Sequence, residues 1–197
     1  KNYKIYVALK EMKKEKKKGS ATPEKTTIIK DDNKLTIASY NLENFSNNTS
    51  ETSNDKAQKL ARAFAVDMDS PDIIGVTEVQ DNNGSSAGNA AANESYERLI
   101  QAIVDAKGPK YKYLNIDPVN NADGGAPNAN IRVGFLYNPD RVSLPEGIVP
   151  GDATTAVGYE NGKLTLNPGR IDPTNVAFNS SRKPLAAQFV FKGEDVI

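Results

Sequence analysis

The chain of 197 residues balances 25 basic against 25 acidic side chains, with 38% hydrophobic residues, a composition that fits a globular protein rather than a disordered or membrane one. No apolar run approaches the ~18 residues that a membrane span needs, and the absence of cysteine excludes disulfides and thiolate metal sites. Histidine is absent too, so the usual general base near neutral pH is missing.

The charge is uneven. Residues 1–30 carry ten lysines against three glutamates, and the remainder carries 15 basic against 22 acidic side chains. An acidic body does not suit tight binding of DNA by counterion release. It suits a hydrolase that meets phosphates briefly through a divalent cation. The lysine run Lys13–Lys18 reads as a solvated linker rather than a site for anionic polymers.

In chain order, residues 2–8 alternate like a strand, with Tyr3, Ile5 and Val7 on one side. Gly19 to Pro23 reads as a linker, which puts a domain boundary near residue 30. Residues 1–30 are then expected to be the remnant of something upstream plus a lysine-rich linker, and residues 31–197 a second domain. Leu35 to Tyr40 predicts a short strand. Ala57, Leu60, Ala61, Phe64 and Met68 recur at helical spacing, which predicts a helix over 54–68 with Asn54 as its N-cap. Pro71-Asp72 ends it, and Ile73 to Thr77 is a buried-type strand.

Residues 81–92 read as a loop. A second helix is predicted over 94–106, with Tyr96, Leu99, Ile100, Ile103 and Val104 on one face. Strands follow at 111–116, 131–137 and 141–144, with turns around Asn120 to Asn130 and Asn138-Pro139-Asp140. A small hairpin is predicted at Glu160-Asn161-Gly162-Lys163, and a last strand over 185–191. Helices interposed among early strands, then antiparallel-looking strands, predict a mixed sheet in an α+β domain.

Chemistry-bearing residues sit where the strands end. The first body strand runs into Asn41, and the buried strand at Ile73 ends on Glu78. A carboxylate closing an apolar strand is costly unless it is paired or holds a cation. Oxygen donors of this kind suit Mg²⁺, Mn²⁺ or Ca²⁺. On the residues alone, Asn41 and Asp117 also fit turn positions, Glu78 a rim ion pair and Arg182 a surface arginine. The loop at Asp81 does not follow EF-hand spacing.

The segments "LTIASYNLENFS" and "PDIIGVTEVQDN", then "YLNIDPVNNADGGAPNANIRVGFLYNPDRVSL" and "SRKPLAAQFVFKG", resemble in order the opening of the endonuclease/exonuclease/phosphatase superfamily. Large bacterial extracellular nucleases are the nearest likeness, over about residues 34–197. The resemblance implies a four-layer α/β/β/α sandwich, of which this chain supplies the N-terminal portion, and an extracellular or cell-surface place. It implies a Mg²⁺-dependent (or Mn²⁺/Ca²⁺-dependent) phosphodiesterase acting on DNA or RNA. In that reading Asn41 and Glu78 hold the metal and its water shell. Asp117 orients a catalytic histidine, and Arg182 reaches a substrate phosphate, with Asn130 and Arg132 lining the phosphate site. Glu43 and Asp123 receive no role.

The histidines that the family uses lie in later motifs, so the chain is expected to be inactive alone. It is also expected to pair with the remaining half of its domain, or with itself, through an exposed sheet edge. Sphingomyelinase or phosphatase activity in the same superfamily, and a non-catalytic surface-binding module on the same fold, are the alternatives.

Overall fold

The computed structural model describes residues 22–88 and 90–197. The strand expected over residues 2–8 and the lysine run lie outside the described residues. The main sheet has four strands, β1 (Ile37–Phe45), β2 (Ile73–Val79), β3 (Lys112–Leu114) and β4 (Arg132–Tyr137), in the order β1-β2-β4-β3. β1 and β2 are parallel, while β4 is antiparallel to both β2 and β3. A parallel pair needs a crossover connection, and α1 (Asn54–Arg62) lies within it. With α2 (Asn93–Asp105), these elements make a mixed α/β domain with a mixed sheet and two helices.

Alternation divides the core between the two faces of the sheet. Ala38, Tyr40, Ile74, Val76 and Leu136 meet Leu60 and Phe64 of the first helical segment and Tyr96, Leu99 and Ile103 of α2. Each fully buried side chain of this kind contributes ~1.5–3 kcal/mol. On the opposite face Ile73, Leu114 and Tyr137 pack with Val142, Ala187 and Phe189, supplied by the second half of the chain.

The N-cap of α1 differs from expectation. Ser53, not Asn54, caps α1, accepting the Lys56 N–H at 3.2 Å. Asn54 instead accepts a hydrogen bond from Arg98 at 2.9 Å. After Arg62 the helix widens into a π turn, Ala63–Asp67, which sets Phe64 edge-on against Tyr40 at 5.0 Å. α2 has no local side-chain cap; Asn82, from the preceding loop, accepts the N–H groups of Glu94 (2.8 Å) and Ser95 (3.2 Å) instead.

The late strands are short. β5 (Tyr159–Glu160) and β6 (Lys163–Leu164) form the expected hairpin, with Asn161 and Gly162 both at positive φ. β7 (Gly169–Arg170) pairs with β8 (Leu185–Ala186), and β9 (Phe189–Phe191) with β10 (Glu194–Val196). The single strand expected over 185–191 is therefore split, because the buried Gln188 turns its backbone N–H to Asn167 Oδ1 at 2.9 Å. Residues 141–144 are not a strand. Arg141 and Val142 donate back to the Asn138 carbonyl, Arg141 reaches Asp72, and only Ser143 bridges, to Val190.

Candidate functional site

Strict alternation would send Glu78 into the helix-facing core behind Ile74 and Val76. A bulge prevents this: Thr77 pairs with Val133 and Val79 with Arg132, so Glu78 is the extra residue. Its φ is +62°, and Val79 takes the core place instead. β1 is irregular at the same level, with Glu43 (φ +55°) and Asn44 (φ +57°) between Asn41 and the buried Phe45. Three non-glycine residues in the left-handed region cost of order 1–3 kcal/mol each, and such strain concentrates at functional sites.

The two irregular strand ends converge. Asn41 Oδ1 accepts the Glu43 N–H at 2.7 Å, which orients the carboxamide so that Nδ2 donates to Glu78 Oε1 at 3.0 Å. Arg182 Nη1 donates to the same oxygen at 2.9 Å from 104 residues further along the chain. The Asn41 carboxamide is the main influence holding the Glu78 carboxyl below the usual range. Burial opposes it, while Arg182 and the Asn44 N–H reinforce it. Arg182 is 36% exposed, so the guanidinium is at once paired and reachable from solvent.

A second cluster adjoins the first through the ladder, since Arg132 is the partner of Val79. Arg132 is 1% exposed and pairs with the buried Asp81 through Nη2 and with Asp117 Oδ1 through Nη1 at 2.7 Å. It also donates to the carbonyls of Ala90 and Asn130. Asn130 is buried, with φ +49°, and bonds Asp81 Oδ2 at 2.5 Å and Asn120 Oδ1 at 2.9 Å. Burial pushes the Asp81 carboxyl up to about 6, against the pull of Asn130 and Arg132. Asp117 is half exposed, and its Oδ1 also accepts from Asn115 at 2.7 Å.

The six expected residues therefore fall into two groups. Asn41, Glu78 and Arg182 meet at one carboxylate oxygen. Asn130 and Arg132, expected to line a phosphate site, are instead enclosed by protein partners, and they brace the loop that carries Asp117. Asp81, which organises this bracing, received no role from the sequence. Its place two residues beyond the strand in "TEVQD" was the available sign, but a carboxylate there reads equally as the start of a loop.

Among the described residues no group of three or more His, Cys, Asp or Glu side chains could hold a metal. One ionised carboxylate with a neighbouring carboxamide fits a different mode, in which a hard cation keeps most of its waters and is completed by substrate phosphate oxygens. Glu78 fits that mode, with Asn41, whose Nδ2 faces Glu78 and whose Oδ1 accepts the Glu43 N–H, placed to meet the cation's waters. A cation stripped of water and caged by protein alone does not fit.

No family model matches the chain, and no curated protein matches it.

Proposed function

We propose that this chain is the metal- and phosphate-holding part of a divalent-metal-dependent phosphodiesterase acting on nucleic acid. On this reading its sheet and helices belong to a four-layer α/β/β/α sandwich like that of the endonuclease/exonuclease/phosphatase superfamily, in a protein that works outside the cell. The observation that carries the reading is the convergence of Asn41, Glu78 and Arg182 on Glu78 Oε1.

Glu78 and Asn41 would hold Mg²⁺ (or Mn²⁺/Ca²⁺), which when bound neutralises phosphate charge and stabilises the leaving oxygen. Glu78, kept below the usual carboxylate range, is ionised at neutral pH. Arg182 exchanges its carboxylate partner for a phosphate oxygen and fixes the phosphorus for in-line attack. Asp117, with one oxygen secured by Arg132 and Asn115, keeps the other for orienting a general base. The 197 residues contain no histidine, the base that the superfamily uses, so on this reading the chain alone does not turn over. β1 is an edge strand with Ile37 63% exposed, and we include in the proposal that the complementary half, or a second copy, covers it.

The test is hydrolysis of plasmid DNA, RNA and sphingomyelin by the full-length protein, with Mg²⁺, Mn²⁺ or Ca²⁺ and with chelator. Metal-dependent cleavage of nucleic acid, lost in Glu78→Gln, is expected. Preference for sphingomyelin moves the substrate class. Full activity in Glu78→Gln, or no hydrolysis of any phosphodiester, overturns the proposal.

A further inference from the structure

Arg182 lies on a segment without regular structure, between a 3₁₀ turn (Val176–Phe178) and β8, where an arginine is ordinarily mobile. Three features hold its backbone in place. The flanking chain is closed by the ladder pair Arg170–Leu185 and by the Ile171 N–H, which donates to the Pro184 carbonyl at 3.0 Å. The neighbouring Lys183 is buried, and its Nζ donates to the carbonyls of Ser181 (3.1 Å), Phe178 and, across the fold, Ala122 (3.1 Å). Gly124 lies flush against the same segment: a Cβ there would sit 2.5 Å from the Ser180 carbonyl oxygen.

Asp123 joins these features. It is 1% exposed and takes two hydrogen bonds from Arg170, of 2.7 and 3.3 Å, while Lys183 Nζ lies 3.9 Å from its Oδ1. Arg170 also reaches the Ile116 carbonyl, next to Asp117, at 3.4 Å. A buried carboxylate beside two buried cations is strongly destabilised when it loses them, so the three side chains hold this stretch of chain together. Among the described residues this cluster makes no hydrogen bond to Glu78 or Asn41; its connection to the site runs through the backbone that carries Arg182.

We infer that Asp123, with Arg170 and Lys183, is a positioning residue that holds Arg182 over Glu78 before any phosphate arrives. The functional side of this inference rests on the reading of Arg182 as a phosphate-binding group; the mechanical side does not. Preorganisation of this kind removes the ordering cost of a long side chain from the binding step.

The test reads the Arg182 Nε–Hε group by ¹⁵N relaxation in the full-length protein. The unsubstituted protein is expected to give an order parameter near ~0.85, as for rigid backbone, falling below ~0.6 in Asp123→Asn and in Lys183→Met. Lys183→Met leaves the Asp123–Arg170 pair intact, so it is available if Asp123→Asn does not fold. Arg141, anchored on Asp72 at the other end of β2, is the internal reference and stays unchanged. An Arg182 that stays rigid in either folded variant overturns the inference, as does loosening of Arg141 to the same extent. If neither variant folds, the unsubstituted protein decides: a flexible Arg182 overturns the inference and a rigid one supports it.

Kinetics supply the functional side. Asp123→Asn is expected to lower kcat on the cleaved phosphodiester by up to about 10²-fold. Adding it to Arg182→Met is expected to cost nothing further, because the two act as one unit. Full additivity overturns the functional side. Failure of the unsubstituted protein to bind inorganic phosphate or hydrolyse any phosphodiester sinks the proposed function but leaves the relaxation result standing.

Discussion

Asn41 and Glu78, 37 residues apart, meet through a single hydrogen bond of 3.0 Å from Nδ2 to Oε1, and each stands at an irregularity of its own strand. Because β1 and β2 are parallel, their carboxyl-terminal parts lie side by side, and a polar residue at the irregularity of β1 meets another at the bulge of β2 there. The bulge at Glu78 then turns the carboxylate out of the core and toward the carboxamide. Ligand sites of layered α/β proteins form at strand ends for this reason.

On the proposed function, Arg182→Met is expected to lower kcat by about 10²–10³-fold, the range for removing one donor to a transition-state oxyanion. Thermal stability should change little, because Arg182 is partly exposed and surface pairs contribute ~0–1 kcal/mol. Cleavage kinetics measured beside a melting curve separate the two effects.

Arg132→Leu is expected to behave in the opposite way to a surface change. It leaves Asp81 buried without its cation, and breaking such a pair costs about 3–5 kcal/mol. A urea midpoint shifted down with an unchanged slope is the expected result. A loss confined to phosphate affinity, with stability intact, would restore Arg132 to the substrate site.

The Asp81 carboxyl, raised to about 6 in the folded protein from an ordinary 3.8, makes the native state bind more protons than the unfolded one between those values. Its contribution to stability is thus fully present below pH ~3.8 and is lost as pH rises through about 6. Unfolding free energies of wild type and Asp81→Asn, compared from pH 4 to 7, should differ in slope over that window. Parallel curves would show that Asp81 keeps an ordinary pKa.

Gly134→Ala is expected to destabilise by at least ~1–3 kcal/mol, the usual cost of overpacking. An added Cβ on β4 would overlap the Tyr96 hydroxyl and lie 2.9 Å from the Leu114 carbonyl oxygen. Tyr96 is fully buried and stacked on Tyr113 at 4.5 Å, so it has little room to retreat. Chemical denaturation of the variant checks this.

Periodicity alone located α1, α2 and β2, because their apolar positions repeat at 3.6 or run unbroken, and burial follows that repeat whatever the partner. It also placed Glu78 near the end of β2, and the Asn161-Gly162 turn, where local backbone preference decides; Asn41, expected just past its strand, lies inside β1, which runs on irregularly to Phe45. What it did not determine depends on residues far apart in sequence. The helix cap from Asn82, the Asp81–Arg132 pair and the clamp of Asp123 on Lys183 join side chains that no local pattern relates. Arg132 shows the difference most directly. In sequence it is a strand arginine available to a phosphate, and only the tertiary structure gives it two carboxylates within reach and removes it from water. A charge placed in a low-dielectric interior answers to its nearest counter-charge, and the identity of that neighbour is settled by folding, not by spacing along the chain.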